Sequence, residues 1–353
     1  MWSKPISGSL LPWHTQQWAR LTVAHERERL GHALLLRGRE GLGLSQFATR
    51  MAAALLCTGA TDAPRPCGLC RSCRLNLAGS HPDLLTIAPE DGKKAITIEQ
   101  VRALIAYLAL TPAFGGEKVA VLSPLEGLTK EAANSLLKIL EEPPGESIFL
   151  LVSYCSARLA PTIRSRCQII DFPTPARHVA RQWLAGQVTV ETVEDDVDLL
   201  LNLAGGAPIR ALNMRCQGQL PVRGAVFNAL VGLIEGRLDP LAVAQDWRTA
   251  GRQVVLSWLL SFTEDLIRLR LANGRSALTN RDLRSSMQNL VNVLEPKRLY
   301  QLWDRCLEAN RQLDGRAGPN DQLLLEDVAM TCASLAGSRC GVPPEARKSP
   351  KGL

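Results

Sequence analysis

The amino-acid sequence predicts an α/β domain with a parallel sheet, followed by two helical domains. Three observations lead to this fold class. Short apolar runs at residues 33–36, Lys118–Leu122 and Ser147–Ser153 are typical of strands buried on both faces, as parallel strands are. Segments with helical periodicity separate these runs, which favours helices on both sides of the sheet. From residue 221 onward the apolar spacing is helical, and 353 residues are enough for two or three domains.

The first strand leads into a glycine-rich loop at residues 38–45, which reads GREGLGLS. Gly38, Gly43 and Ser45 fit the phosphate-loop pattern G-x-x-x-x-G-K-[ST], but Leu44 stands where the pattern has lysine. Apolar residues at helical spacing follow, so the loop joins a strand to a helix N-terminus, where backbone N–H groups attract phosphate. An ordinary glycine-rich turn is the alternative interpretation of this octapeptide.

The strand Lys118–Leu122 ends in Ser123 and Pro124. In nucleotide hydrolases of this kind an acidic residue after such a strand holds the metal ion, and a lysine in the phosphate loop contacts the β- and γ-phosphates. Leu44, Ser123 and Pro124 cannot supply these groups. The sequence therefore predicts no productive ATP binding and a nucleotide fold that is kept for its shape and for assembly.

Four cysteines follow the helix after the loop and predict a metal module at residues 57–73. Cys67, Cys70 and Cys73 are spaced by two residues, and Cys57 lies one short segment upstream. A closed shell of four thiolates is typical of structural Zn²⁺. A disulfide pair and an iron–sulfur cluster are the alternatives. No secretory leader is apparent, so we expect a reducing compartment, where the ten cysteines of the chain would not form disulfides. His81 is an alternative to Cys57 as the fourth ligand.

A helix with a defined start and stop is predicted next, over residues 129–142. Its apolar residues at helical spacing form one face: Ala133, Leu136, Leu137 and Leu140. Thr129 is its expected N-cap, and Pro143 and Pro144 end it because proline has no N–H and restricts the residue before it. The strand Ser147–Ser153 follows. A short helix then leads into the triplet Ser-Arg-Cys at residues 165–167 and into a further strand.

The sequence from Lys118 through LEEPP at residues 140–144 to TIRSRC at residues 162–167 resembles the AAA+ clamp-loader family of DNA replication. The cysteine insert and the lost catalytic positions resemble a non-hydrolysing subunit of the bacterial polymerase III loader. The resemblance implies a RecA-like AAA+ domain and an arginine finger at Arg166, which would enter the ATP site of a neighbouring subunit. A guanidinium suits that role because it is always charged and binds phosphate in a bidentate manner. A surface ion pair is the alternative role for Arg166.

The resemblance also implies partners and a domain plan. The partners are the loader ATPase subunits (tau/gamma) and the delta subunit in a hetero-pentamer, with the sliding clamp and primed DNA reached through the complex. The chain itself would act as a rigid stator without catalysis of its own, inside a DNA-directed DNA polymerase assembly. The expected domains are listed by their residues: an AAA+ domain at 1–172, a helical lid at 173–216, a helical collar at 217–336 and a disordered tail at 337–353.

One departure from the family pattern concerns the turn at residues 205–210. A second arginine is expected in a Gly-x-x-Arg turn of an active loader ATPase, but Ile209 stands in that place and Arg210 lies one step away. This agrees with a silent nucleotide site.

Composition restricts the function classes only loosely. The formal charge of +7 permits contact with DNA phosphates but fits an ordinary basic protein equally well. No apolar run reaches membrane-spanning length, and the expected location is the cytoplasm, at the replisome. Two other functions remain open at this stage: an active AAA+ ATPase with unusual phosphate chemistry, and a stand-alone zinc-dependent nucleic-acid-binding protein.

Overall fold

A computed structural model describes residues 9–60, 64–155, 157, 159–187, 194–271, 277–312 and 320–335. The expected tail at residues 337–353 lies outside this range. The chain divides into two compact units, Met1–Asn213 and Met214–Leu353. The finer division of the first unit at residue 172 stays a prediction. Within the described ranges, no helix combines the length and the apolar character needed to cross a membrane.

The first unit contains a five-stranded sheet in the order β2-β3-β4-β1-β5. All neighbouring strands run parallel, and strand β1, which lies between β4 and β5, places Leu35 opposite Leu151 of β4 and Ile169 of β5. The apolar runs in the sequence are therefore strands, as predicted. Their bounds are β1 Ala33–Gly38, β2 Leu84–Ile87, β3 Lys118–Leu122, β4 Ser147–Ser153 and β5 Gln168–Phe172.

Alternate residues of each strand point to opposite sides of this sheet. Apolar side chains therefore lie on both faces, and helices cover both. Leu34 and Leu36 pack in one apolar cluster with α2, while Leu35 packs in a second cluster with α4 and α5. This arrangement confirms the predicted α/β class. The helices of the first unit up to α5 are α1 Thr15–Glu26, α2 Leu44–Leu55, α3 Arg71–Leu77, α4 Ile98–Leu108 and α5 Lys130–Glu141.

Helix α5 begins and ends where the sequence predicts. The Thr129 hydroxyl accepts a hydrogen bond from the N–H of Ala132 at 3.2 Å, which satisfies one of the free donors at the helix start. The two prolines follow directly after its last turn. The helices that come next along the chain are α6 Pro161–Arg164, α7 Arg177–Gln187, α8 Glu194–Leu203 and α9 Pro208–Cys216.

The second unit is helical in its described part and contains a buried polar network. The carboxylate of Asp265 is fully buried and accepts hydrogen bonds from the backbone N–H groups of Thr279 and Asn280 at 3.1 and 2.7 Å. Arg223 contacts the Asn280 side chain and pairs with Asp282 at 2.8 Å. The helices are α10 Gln219–Ile234, α11 Pro240–Ala250, α12 Arg252–Leu271, α13 Arg284–Val293, α14 Pro296–Arg311 and α15 Asp321–Ala333.

Candidate functional site

The glycine-rich loop lies between β1 and α2, at the carboxyl edge of the sheet, where ligands of open α/β sheets bind. Gly41 and Gly43 adopt φ angles of 84° and 85°, which are strained for any residue with a Cβ. The first turn of α9 packs against this loop. The N–H of Ile209 donates to the Gly41 carbonyl at 3.1 Å, and a Cβ on Gly41 would lie 2.4 Å from the Cβ of Arg210. The turn at residues 205–210 thus contacts the loop through its backbone.

The outer side of the loop is closed by two aromatic residues from the start of the chain. Trp13 Nε1 and His14 Nε2 both donate to the Leu42 carbonyl at 2.8 Å. Trp13 also packs edge-on against Trp183 of α7, with ring centroids 5.2 Å apart. Leu44, which replaces the expected lysine, is fully buried in the core. Sequence reasoning missed this closure, because the four residues are far apart in the chain.

Ser45 occupies the Ser/Thr position of the phosphate-loop pattern and carries the hydroxyl group that this position requires. Its hydroxyl forms hydrogen bonds with the hydroxyls of Ser123 at 3.0 Å and Tyr154 at 2.6 Å. The structure therefore brings together Ser45 of the loop and Ser123 at the end of β3. The carboxylate of Glu126 lies just beyond this strand end and accepts hydrogen bonds from the Ser153 hydroxyl at 2.5 Å and the Cys155 N–H at 2.6 Å.

The closed loop makes stability depend on pH through His14. Burial lowers the pKa of His14 from 6.5 to about 4, although the hydrogen bond to Leu42 acts in the opposite direction. The unfolded chain binds the extra proton first, so the contribution of neutral His14 is fully present above pH 6.5 and is lost as the pH falls toward 4. We expect up to about 3 kcal/mol of unfolding free energy to be lost over this interval.

Urea unfolding of the wild type and of His14→Gln between pH 7 and pH 4 measures this effect. Glutamine can donate to Leu42 but does not titrate, so its curve is expected to be flatter than that of the wild type. Parallel curves for the two proteins would show that His14 does not titrate in this interval.

The four predicted cysteines converge in one cluster. Their sulfur atoms all lie within 4.8 Å of one another. The Cys57–Cys70 and Cys67–Cys73 pairs are each 3.9 Å apart. A tetrahedron with Zn–S bonds of about 2.3 Å has sulfur atoms about 3.8 Å apart, so the geometry fits a four-coordinate metal ion. These residues can therefore hold one metal such as zinc.

Backbone groups favour thiolates in part of this cluster. The N–H groups of Cys70 and Cys73 donate to the sulfurs of Cys67 and Cys70 at 3.4 and 3.3 Å. Burial opposes ionisation of Cys70, but donors from Cys73 and Thr58 outweigh it and lower the pKa of Cys70 to about 6. Burial raises the pKa of the Cys73 thiol to about 12. A bound cation would stabilise the thiolate form of all four, since the thiolate is the metal ligand.

His81 is engaged outside the cluster. Its Nδ1 accepts the N–H of Asp83 at 3.0 Å, so Nε2 carries the proton and donates to the Ser72 hydroxyl at 2.8 Å. The Ser72 hydroxyl in turn donates to the carbonyl of Leu56, the residue before Cys57. Both ring nitrogens are thus used, and Cys57 stands as the fourth sulfur of the group. His81 therefore supports the metal module through its hydrogen bond to Ser72.

Arg166 lies at the surface, after α6. Its Nε donates to Glu141 Oε1 at 2.7 Å, its Nη2 contacts the same oxygen, and its Nη1 donates to the Thr162 carbonyl at 2.9 Å. Its side chain is one-third exposed. The structure thus contains the ion pair that the sequence analysis left as an alternative, and the finger role stays a prediction. Glu141 was not predicted as a partner; the only signal was an acidic residue in the last turn of a helix.

The five-stranded parallel sheet, the glycine-rich loop at its carboxyl edge and the helical second unit define an AAA+ protein. Residues 13–176 match the family described as "DNA polymerase III, delta subunit", and residues 217–332 match "DNA polymerase III, delta subunit, C terminal". DNA polymerase III subunit delta' of Pseudomonas aeruginosa is 33% identical over 328 residues, which cover 93% of this chain and 98% of the relative. The Escherichia coli subunit delta' is 32% identical, covering 90% and 94%. The chain belongs to the family of DNA polymerase III delta-prime subunits.

Solved structures give more distant likenesses. A DNA polymerase III gamma subunit-related protein of Thermotoga maritima is 18% identical, with a TM-score of 0.38 over 89% of this chain and 98% of the other. The DNA clamp loader delta protein of Bacillus subtilis is 10% identical, with a TM-score of 0.34 over 90% and 99%. The family assignment depends on the sequence relatives and not on these structures.

Proposed function

We propose that this chain is the non-hydrolysing delta-prime subunit of a bacterial clamp loader and acts there as a rigid stator. The observation that carries the proposal is the closure of the phosphate loop by groups of the same chain. The Ser45 hydroxyl is bonded to Ser123 and Tyr154, and the Gly41 carbonyl is bonded to Ile209. A fold in which these groups around the nucleotide site are bonded to one another would keep one shape through the ATP cycle of its neighbours.

The chemistry of the loop residues supports the same proposal. A leucine at position 44 gives no cation for the β- and γ-phosphates, and neither Ser123 nor Pro124 supplies a carboxylate for Mg²⁺. The bonds from Trp13 and His14 to the Leu42 carbonyl also hold the loop in one conformation. We therefore expect neither productive ATP binding nor intrinsic catalysis in this chain, although the proposed assembly is a DNA-directed DNA polymerase.

Family membership supports a proposal for the partners. The stator would stand beside the loader ATPase subunits (tau/gamma) and the delta subunit in a hetero-pentamer, which places the sliding clamp on primed DNA. Arg166 would enter the ATP site of the neighbouring ATPase. Residues 173–216 would form the lid, residues 217–336 the collar that joins the subunits, and Cys57, Cys67, Cys70 and Cys73 would hold a structural Zn²⁺. The location would be the cytoplasm, at the replisome.

Nucleotide binding by the purified chain tests the silent site. Isothermal titration calorimetry with MgATP is expected to give no binding heat at millimolar nucleotide, because the loop lacks the phosphate-contacting lysine and positions 123 and 124 supply no carboxylate for Mg²⁺. An isolated loader ATPase subunit is the positive control. Micromolar binding that is lost in Ser45→Ala would contradict the proposal and favour an active ATPase.

A second assay separates the proposal from a stand-alone nucleic-acid-binding protein. Fluorescence anisotropy with primed DNA is expected to show only weak, salt-sensitive binding by the isolated chain. The reason is that the modest positive charge of the chain would be its main source of attraction to DNA phosphates. Tight binding that disappears when a chelator removes the metal would favour the zinc-dependent binding protein instead.

A further inference from the structure

Glu141 holds the proposed finger residue in one orientation. Oε1 of Glu141 accepts from both Nε and Nη2 of Arg166, and the Thr162 carbonyl accepts from Nη1. The guanidinium is therefore fixed from two directions, by a carboxylate at the end of α5 and by a backbone carbonyl in α6. A long side chain that is held in this way loses little further freedom when it contacts a phosphate.

The position of Glu141 is not explained by the stability of its helix. It is the last residue of α5, where the negative end of the helix dipole disfavours a carboxylate. Its side chain is 49% exposed and that of Arg166 is 33% exposed, and exposed ion pairs of this kind add little to folding stability. The contact with Arg166 is what the carboxylate provides at this position.

The pairing leaves part of the guanidinium available. Of its five N–H groups, Nε–H and one N–H of Nη2 go to Glu141, and one N–H of Nη1 goes to Thr162. The second N–H of Nη1 has only a 3.4 Å contact with Ser165 Oγ. One hydrogen on each terminal nitrogen can thus reach an incoming phosphate, as bidentate recognition requires.

We propose that Glu141 is a positioning residue for Arg166: it aims the guanidinium at the phosphate of the neighbouring subunit and stays paired while the contact is made. This inference rests on the proposed finger role. A finger acts on charge that develops in the transition state, so its misalignment lowers kcat and leaves KM for ATP nearly unchanged.

The test uses the reconstituted loader with the full chain and measures clamp- and DNA-stimulated ATP turnover. Glu141→Ala is expected to lower kcat about 10-fold with KM for ATP within about 2-fold, since misplacement of a catalytic group is costly. Glu141→Gln is expected to keep most of the activity, because its amide oxygen accepts the same hydrogen bonds. Glu142→Ala is the matched control: it removes the same charge from the next residue, whose side chain has no hydrogen bond or ion pair within the described residues.

A double variant separates positioning from a general effect. In the Arg166→Ala background, Glu141→Ala is expected to have no further effect, because Glu141 acts only through that arginine. Wild-type turnover in Glu141→Ala, with Arg166→Ala strongly impaired, would overturn the inference and leave the finger role standing. Raised turnover in Glu141→Ala would also overturn it, since the carboxylate would then restrain the arginine. Normal turnover in Arg166→Ala would remove the finger role itself.

Discussion

Replacement of Arg166 by alanine is expected to reduce ATP hydrolysis about 10³-fold at the one loader site that faces this chain. The guanidinium would neutralise negative charge on the transferred phosphoryl group, and the methyl group of alanine supplies no charge in its place. The expected loss is in kcat, because the charge it meets develops in the transition state. Lysine at this position is expected to restore little, since an ammonium cannot reproduce the bidentate contact.

Single-turnover hydrolysis in a reconstituted loader, with clamp and primed DNA, measures this loss. Arg164→Ala is the matched control, because it removes an arginine two residues away whose side chain has no hydrogen bond or ion pair within the described part of the chain. Gel filtration of both variants checks that the assembly is intact. Unchanged hydrolysis in an intact Arg166→Ala assembly would contradict the finger role.

The inner strands β1, β3 and β4 were predictable from sequence because they are covered on both faces. Each strand then needs an unbroken apolar run, and such runs at residues 33–36, Lys118–Leu122 and Ser147–Ser153 are easy to recognise. The start of α5 was predictable for a different reason. Its cap is a local interaction between Thr129 and Ala132, so the sequence alone contains both partners.

Burial within α5 was predicted less well. The spacing favours Ala133 and Leu137 as part of the buried face, but both are only partly buried. The face that packs on the sheet is rotated and includes Ala132 and Ile139. Periodicity gives the width of an apolar stripe, whereas the partner helix α4 and the sheet decide which edge of the stripe is covered.

The closure of the phosphate loop could not be predicted, because it depends on contacts between distant parts of the chain. Leu44 indicates a lost lysine, but nothing local indicates that Trp13 and His14 donate to Leu42, or that Tyr154 bonds to Ser45. The hydrogen bonds that His81 and Ser72 form beside the cysteine cluster could not be predicted either. The spacing predicts the sulfur ligands, while the hydrogen bonds of His81 appear only in the fold.

Removal of the metal is expected to have the largest effect on stability. Structural zinc sites contribute apparent binding free energies of about 10–16 kcal/mol. Because the four ligands are not held together in the unfolded chain, this binding free energy stabilises the folded state. Residues 57–73 contain few apolar side chains to hold them together otherwise. We therefore expect one zinc ion per chain, and a loss of several kcal/mol of unfolding free energy in Cys70→Ser, because a hydroxyl is a poor zinc ligand.

Elemental analysis and thermal unfolding of three variants distinguish the ligand set. Cys70→Ser is expected to lose zinc and to unfold at a lower temperature, whereas Cys216→Ser, which changes an exposed cysteine outside the cluster, keeps both properties. His81→Gln is expected to retain the ion, since both ring nitrogens are bonded to Asp83 and Ser72 rather than to a sulfur-bound metal. Loss of zinc in His81→Gln with zinc retained in Cys57→Ser would make the histidine the fourth ligand. Iron and acid-labile sulfide in the purified protein would identify the site as a cluster site and not a zinc site.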